Sequence, residues 1–278
     1  KLKYPTLCGA RADRKELKLR ILFFGDIVGK PGRKGISRII TELIERYQVL
    51  LVGANVENAA GGFGLTRDVY AQLLELGIDF MTSGNHIWDK KELPPIINDL
   101  DRLIRPANYS EKAPGNGTLM LKSQEGPVAV INLSGRIFME PSESPFLVVD
   151  EILENLPPEI KVVLVDMHGE ATSEKVAMGL YLDGRVSAVL GTHTHIQTAD
   201  ERILKAGTAY ITDVGMCGPI ESVIGIKSSQ ALEKFVTGIP HRFEVASGPI
   251  LINAVVLDID PETGRARSIE RIQRTLEN

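Results

Sequence analysis

The chain has 278 residues, of which 43% are hydrophobic and 24% are charged, and 32 basic side chains nearly balance 36 acidic ones. This composition excludes a disordered, collagen-like or low-complexity chain and a general nucleic-acid-binding surface, and a chain of this length can bury a large core. No apolar run reaches the roughly 18 residues that a membrane span needs, no secretory signal is visible and the only cysteines are Cys8 and Cys217, so we expect a cytoplasmic protein with no membrane partner.

The first third of the chain alternates between strand and helix. Three compact apolar runs predict buried strands at residues 19–25, 49–56 and 79–82. Between them, Pro31 opens a helix with isoleucines at helical spacing, and Thr66 caps a second helix that reaches Leu76. This β-α-β-α-β order is typical of a parallel sheet with helical crossovers. We leave residues 1–17 outside the fold as an N-terminal extension.

The rest of the chain mixes strand directions. Residues 118–122 and 127–133 predict a hairpin. The other predicted elements are helices at 149–156 and 172–182, a loop at 136–145, and strands at 161–167, 186–190, 209–212, 242–246, 250–259 and 265–274. Neither an internal repeat nor a linker is apparent, so we expect a single domain over residues 18–278. The mixture of parallel and antiparallel strands indicates an α/β fold with two sheets packed together and helices outside.

Polar side chains able to bind a metal ion stand at the ends of five of these strands. They are Asp26, Glu57 with Asn58, Asn85 with His86, His168, and His193 with His195. Four of the five histidines therefore lie at strand ends, and His241 lies elsewhere. Because ligands bind beyond the carboxyl ends of the strands in open α/β sheets, we expect these side chains to meet at one rim.

Spacing and charge favour a pair of divalent metal ions at this rim. His193 and His195 are two residues apart, so on extended backbone their rings would project to the same side. Asp26 and Glu57 are carboxylates, and either can bridge two ions. Taken singly, each of these residues is also an ordinary turn residue, helix cap or buried histidine. Their joint occurrence at consecutive strand ends favours the metal site.

Other motifs carry less information. Residues 25–30 place Gly-Lys after a strand but are too short for a phosphate-binding P-loop. Cys217 has no evident base beside it, which favours packing over a nucleophilic role. Phe63 and Trp88 are able to stack a nucleobase near the rim, although core packing is the commoner use of such rings.

The strand-end motifs resemble those of the calcineurin-like metallophosphoesterases, and most closely those of the YmdB-like bacterial subgroup. The motifs are Gly25-Asp26-Ile27-Val28, Glu57-Asn58, Gly84-Asn85-His86, His168-Gly169-Glu170 and Gly191-Thr192-His193-Thr194-His195. Two positions depart from the general pattern, since Val28 replaces a histidine and Glu57 replaces the bridging aspartate. The YmdB-like subgroup shares both changes. The resemblance extends from about residue 19 to the C-terminus.

The resemblance implies a four-layer αββα sandwich of two mixed sheets flanked by helices, with two metal ions at the rim. One ion would be held by Asp26, Glu57, Asn58 and His195, and the other by Glu57, Asn85, His168 and His193. Glu57 would bridge the two ions, while His86 would stay unligated and donate a proton to the leaving group. Iron or manganese is the metal that the family implies, and zinc also suits these ligands.

The implied activity is hydrolysis of phosphodiesters, including cyclic nucleotides, by a hydroxide held between the metals, and the family also implies self-association. Two alternatives stay open: a metal-stabilised nucleotide-binding regulator with little turnover, and a phosphomonoesterase that uses the same metal core. His86 argues against the regulator, because binding alone needs no proton donor. We expect the pocket walls to come from residues 136–144 and 169–175.

Overall fold

The computed structural model of the protein describes residues 18–277. The predicted extension over residues 1–17, which includes Cys8, lies outside this range. None of the helices within the range combines the length and the apolar character needed to cross a bilayer. The α-helices are Gly29–Tyr47 (α1), Arg67–Glu75 (α2), Pro145–Asn155 (α3), Thr172–Tyr181 (α4) and Ser228–Thr237 (α5), and a 3-10 turn spans Ile97–Asp99.

Two mixed β-sheets form the centre of the fold. The first contains Leu19–Phe24 (β1), Asp26–Ile27 (β2), Leu51–Asn55 (β3), Phe80–Thr82 (β4), Met216–Pro219 (β11), Ile250–Ile259 (β12) and Ala266–Leu276 (β13). The second contains Thr118–Ser123 (β5), Gly126–Ser134 (β6), Val162–His168 (β7), Ala188–Thr192 (β8), Arg202–Ile203 (β9) and Ala209–Ile211 (β10). The first sheet runs β2-β11-β12-β1-β3-β4 with β13 paired to β12, and the second runs β5-β6-β7-β8-β10-β9.

The sheets pack face to face, and helices cover their outer faces. Along β1, Ile21 and Phe23 point into the core between the sheets, whereas Leu22 and Phe24 pack against α1. This alternation is the two-residue period of a strand that is buried on both faces. The outer face of the second sheet packs against α3 and α4. The predicted four-layer αββα sandwich is therefore confirmed.

Local signals explain where several helices begin. The Thr66 hydroxyl accepts a hydrogen bond from the backbone N of Val69 at 3.3 Å, which caps α2 as predicted. α1 begins two residues before Pro31. α3 begins at Pro145, four residues earlier than predicted, because the fixed φ of proline and its missing N–H suit the first turn of a helix.

The last third of the chain departs from the sequence-based expectation in four places, one of which is the unpredicted two-residue strand β9. The strand predicted at residues 242–246 is wrong, since Val245 makes an isolated bridge with Ile226 and belongs to no strand. Helix α5 was not predicted, because Phe235 and Val236 are exposed and its apolar residues do not mark a core face. Strand β11 was also missed, because its sequence Met-Cys-Gly-Pro carries no alternating pattern.

We expect Leu164→Ala to lower the free energy of unfolding by about 2–5 kcal/mol, because Leu164 on β7 is buried between the two sheets. Urea unfolding followed by circular dichroism measures the change. Leu147→Ala is the matched control, since that side chain on α3 is exposed, and its effect should stay within about 0.5 kcal/mol. Equal losses in the two variants would contradict a core between the sheets.

Candidate metal centre

The seven predicted metal ligands converge where the carboxyl ends of strands from both sheets meet. The first sheet contributes Asp26, Glu57, Asn58 and Asn85, and the second contributes His168, His193 and His195. Ligand atoms of Glu57, His168 and His193 all lie within 4.8 Å of one another. The strand-end argument therefore predicts correctly that these side chains are neighbours in space.

One half of the cluster is centred on His168, whose ring is fully buried. Its Nε2 lies 3.1 Å from Oε1 of Glu57 and 2.9 Å from Oδ1 of Asn85. Nδ1 of His193 lies 3.1 Å from the same nitrogen. Two imidazole nitrogens, a carboxylate and an amide oxygen thus point at one another, which is a donor set suited to a first-row divalent ion.

The other half of the cluster is built around Asp26 and His195. Nε2 of His195 lies 3.9 Å from Oδ1 of Asp26 and 3.2 Å from Nδ2 of Asn58. Oδ1 of Asp26 is buried and finds no hydrogen-bond partner in residues 18–277. An unsatisfied buried carboxylate oxygen beside an imidazole nitrogen fits a cation. Asn58 would add an amide oxygen to this donor set after a half-turn of its amide group, in which the oxygen and the nitrogen exchange places.

Hydrogen bonds at the far nitrogens orient two of the rings toward the centre. Nδ1 of His168 lies 2.9 Å from the Thr192 hydroxyl, which itself donates to Asp166 at 2.7 Å. Nδ1 of His195 donates to the carbonyl of Ile224 at 2.9 Å. Each contact leaves Nε2 directed at the cluster, in the manner of the outer-shell partners that fix metal-binding histidines.

The segment that carries His193 and His195 is not extended, so the prediction that both rings project to one side is wrong. Their φ angles are 104° and 66°, which is a rare and costly region for residues other than glycine. The two rings consequently reach different halves of the cluster. Asp213 holds the segment by accepting bonds from the backbone N and hydroxyl of Thr194 at 3.1 and 2.8 Å, and buried Lys175 pairs with the same carboxylate at 2.8 Å.

The charges in the cluster shift one another's pKa values. Burial raises the pKa of Asp26 well above 3.8. Burial also disfavours the Glu57 anion, but the charge and hydrogen bond of His168 outweigh it and lower the pKa of Glu57 to about 2. Burial likewise disfavours the His168 cation, yet Glu57 and the other carboxylates raise the pKa of His168 to about 9. Burial, followed by the nearby His168 charge, lowers the pKa of His193 to about 3.

His86 lies beside the cluster but offers its ring to a cleft. Its backbone N donates to Oε2 of Glu57 at 2.8 Å, which holds the residue next to the centre. Nδ1 donates to Oδ2 of Asp89 at 2.9 Å. Phe63 packs against the imidazole with ring centroids 4.9 Å apart and an interplanar angle of 66°. This arrangement leaves Nε2 as the nitrogen available to a bound molecule.

The cleft has a volume of about 270 Å³ and opens directly over the cluster. Its lining includes Glu57, Asn58, His86, Glu170, His193, Thr194 and His195, together with Val28, Gly62, Phe63, Ile224 and Ile226. Of the two segments predicted as walls, residues 169–175 contribute Glu170, whereas within the described chain residues 136–144 line a different groove. The prediction for 136–144 is therefore wrong, and Phe63 and the turn at 223–226 form the wall instead.

Sequence reasoning missed several residues that support the site. Asp213 follows strand β10, so the strand-end signal that found the other carboxylates also applies to it. Asp166 lies inside β7, and Lys175 lies on α4. Neither residue could be predicted from the sequence. The residue pattern within a strand or along a helix face indicates which side chains are buried, and it does not indicate which of them support a site. Cys217 is buried and burial raises its pKa to about 12, in line with the predicted packing role.

Comparison with known proteins gives one family and several close relatives. Residues 22–272 match the model of a family described as "YmdB-like protein". The chain is 48% identical over 254 residues to the 2′,3′-cyclic-nucleotide 2′-phosphodiesterase of Bacillus subtilis (strain 168), covering 91% of this chain and 96% of that relative.

Two solved structures share the fold. A hypothetical protein from Thermus thermophilus is 41% identical with a TM-score of 0.87, covering 93% of this chain and all of that one. A structure described as a novel phosphatase from Mycoplasma pneumoniae is 35% identical with a TM-score of 0.89, covering 95% of each chain. The sandwich fold is thus shared with both of these solved structures.

We expect Gly84→Ala to lose more than half of the bound metal, because a Cβ at this position would lie 2.2 Å from the His168 ring and displace it. Elemental analysis of the purified variant measures the loss. Gly169→Ala is the matched control beside the same histidine, since its Cβ would meet its nearest neighbour at an ordinary 3.5 Å. Retention of full metal content in Gly84→Ala would remove His168 from the metal centre.

Metal affinity should rise with pH by about tenfold per unit between pH 7 and 9, because an ion must displace the proton that His168 holds up to about pH 9. The folding stability of the metal-free protein changes with pH in the opposite direction. The stability that charged His168 contributes is complete below pH 6.5 and is lost as the pH rises through about 9. Calorimetry in buffers of different ionisation enthalpy should detect release of at least one proton at pH 7. A centre that binds metal without releasing a proton would contradict this protonation state.

Proposed function

The chain belongs to the YmdB-like protein family, and from that premise we propose that it is a metal-dependent phosphodiesterase that hydrolyses 2′,3′-cyclic nucleotides. The observation that carries the proposal is the convergence of Glu57 and six other predicted ligand side chains, with Nε2 of His86 facing the cleft above them. The Bacillus subtilis relative, named for this substrate, covers nearly the whole chain, which supports the choice of substrate class.

We assign Asp26, Glu57, Asn58 and His195 to one metal ion and Glu57, Asn85, His168 and His193 to the other. Metal ions bound at such ligands supply Lewis-acid polarisation of phosphoryl oxygens and activation of water. The mixed oxygen and nitrogen donors support iron or manganese. The buried free thiol of Cys217 supports a reducing, cytoplasmic location, and the exposed apolar residues of α5 support self-association.

His86 is the residue that we assign to proton transfer. Water attacks phosphorus and loses one proton to solvent as the new P–O bond forms, and the bond between phosphorus and the ribose 2′ oxygen breaks. The departing oxygen takes its proton from Nε2 of His86, which regains a proton from solvent. Asp89 accepts a hydrogen bond from Nδ1 at 2.9 Å, so it orients the ring with Nε2 toward the cleft.

A phosphomonoesterase is the second candidate, because the Mycoplasma pneumoniae structure is described as a phosphatase. The same metal core serves both reactions, and His86 can protonate the alkoxide that either one expels, so the name of the Bacillus subtilis relative ranks the phosphodiesterase first. The regulator with little turnover has no such observation in its favour.

A substrate panel with metal analysis tests the proposal. The purified protein, supplied with manganese, should hydrolyse 2′,3′-cyclic AMP faster than both 3′,5′-cyclic AMP and p-nitrophenyl phosphate. Faster turnover of p-nitrophenyl phosphate would instead identify a monoesterase. Tight binding of 2′,3′-cyclic AMP without its consumption would identify the regulator.

His86→Ala should lower kcat on 2′,3′-cyclic AMP by about 10²- to 10⁴-fold, the usual contribution of a positioned proton donor. Its metal content should equal that of the wild type, because no ligand side chain is removed. His241→Ala is the matched control, since this histidine pairs with Glu233 outside the cluster. Wild-type turnover in His86→Ala would exclude the assigned role, and loss of metal would make His86 a ligand.

A further inference from the structure

The lining of the cleft above the metal centre contains two chemically different sets of residues. One set is polar and includes His86, Glu170 and Thr194. The other set is apolar and consists of Val28, Phe63, Ile224 and Ile226, which we call the apolar wall. The reaction as assigned involves only the polar residues, and the apolar wall has no role in it.

Phe63 is fixed at the edge of this wall next to the reacting groups. It lies in a glycine-rich turn in which Gly61, Gly62 and Gly64 all adopt positive φ angles. Its ring contacts the imidazole of His86 edge-on at 4.9 Å between centroids, and the backbone of His86 in turn contacts Glu57. A molecule with its phosphate at the metal centre therefore extends past Phe63 as it leaves the cluster.

Ile224 contributes to the apolar wall from a strained backbone position. Its φ of 46° lies in the left-handed region, which is a true outlier for a β-branched residue. The turn is closed by bonds from Val223 N to Ile226 O at 2.9 Å and from Ile226 N to Val223 O at 3.0 Å. The carbonyl of Ile224 binds His195, yet 46% of the residue remains exposed.

Such strain at a functional site indicates that the position itself has a use. The carbonyl bond to His195 needs no particular side chain, so it does not account for an exposed isoleucine. A large apolar side chain held over the mouth of a polar cleft is instead suited to contact with an apolar part of a ligand.

We propose that Phe63 and Ile224 form a subsite that holds the base of the nucleotide by stacking and apolar contact. This inference rests on the proposed function, because it takes the phosphate to lie at the metal centre. Within the described chain, the apolar wall offers no side-chain hydrogen-bonding group to a base edge. The subsite therefore accepts purines and pyrimidines alike, as stacking surfaces do.

The test compares 2′,3′-cyclic AMP with glycerol 1,2-cyclic phosphate, which has the same five-membered cyclic diester but no base. In Phe63→Ala the KM for 2′,3′-cyclic AMP should rise about 5- to 100-fold, while the KM for the base-free diester stays within twofold of wild type. Phe63→Tyr should restore the wild-type KM, since it keeps the aromatic face. Phe138→Ala, which removes an 88% exposed ring outside the cleft, is the control.

A second variant covers the case in which Phe63→Ala does not fold. Ile224→Asn keeps the carbonyl that binds His195, and asparagine tolerates the left-handed backbone conformation. This variant should raise the KM for 2′,3′-cyclic AMP selectively, with unchanged metal content.

Wild-type KM values for 2′,3′-cyclic AMP and 2′,3′-cyclic UMP should lie within tenfold of each other, because stacking does not distinguish the two bases.

The possible outcomes distinguish failure of the proposed subsite from failure of the proposed function. A selective rise in KM for the nucleotide supports the subsite. Equal effects on the two diesters, or a fall in kcat with KM unchanged, would show that Phe63 acts through His86 and would overturn it. A wild-type protein that cleaves neither diester would overturn the proposed function itself.

Discussion

Burial of several carboxylates at the seam between the two sheets is the constraint on which the rest of the structure depends. Asp26, Glu57, Asp166 and Asp213 are all buried there. A low-dielectric interior does not tolerate such charges unless cations or hydrogen bonds compensate them. His168 and Lys175 supply part of this compensation in the protein itself, and the unpartnered oxygen of Asp26 shows that it is incomplete within the described residues. A bound cation would complete this compensation.

Close packing of the buried polar groups also constrains the backbone around the centre. Close approach of strands from two sheets requires Gly84, because any side chain there would strike the ring of His168. His193, His195 and Ile224 are held at positive φ, and the bonds that Asp213 accepts keep part of this segment in place. Three of the five non-glycine residues with positive φ in the described chain therefore lie at the predicted ligands and the cleft wall, and Gln48 and Phe138 are the other two.

Elements with a strong pattern could be predicted from the sequence, and elements without one could not. The buried runs that form β1, β7 and β12 are apparent because both of their faces are apolar. The predictions fail at helix α5 and at the segment 242–246 because the apolar residues there do not form a regular buried face. Periodicity records burial against the core, so surface elements leave a weak or misleading signal.

The sequence by itself determined which residues stand at the strand ends, because a buried strand must stop where its apolar run stops and a polar residue there has to face the rim. Only the tertiary structure decided how those residues meet: which imidazole nitrogen points inward, which backbone conformation carries His193 and His195 to different halves of the cluster, and that Lys175 and Asp213 support this segment. These features arise from contacts between segments far apart in the chain, including the pairing of Asn55 with His168 and of Asp26 with His193. Local spacing contains no information about such contacts, since each depends on the packing of one sheet against the other.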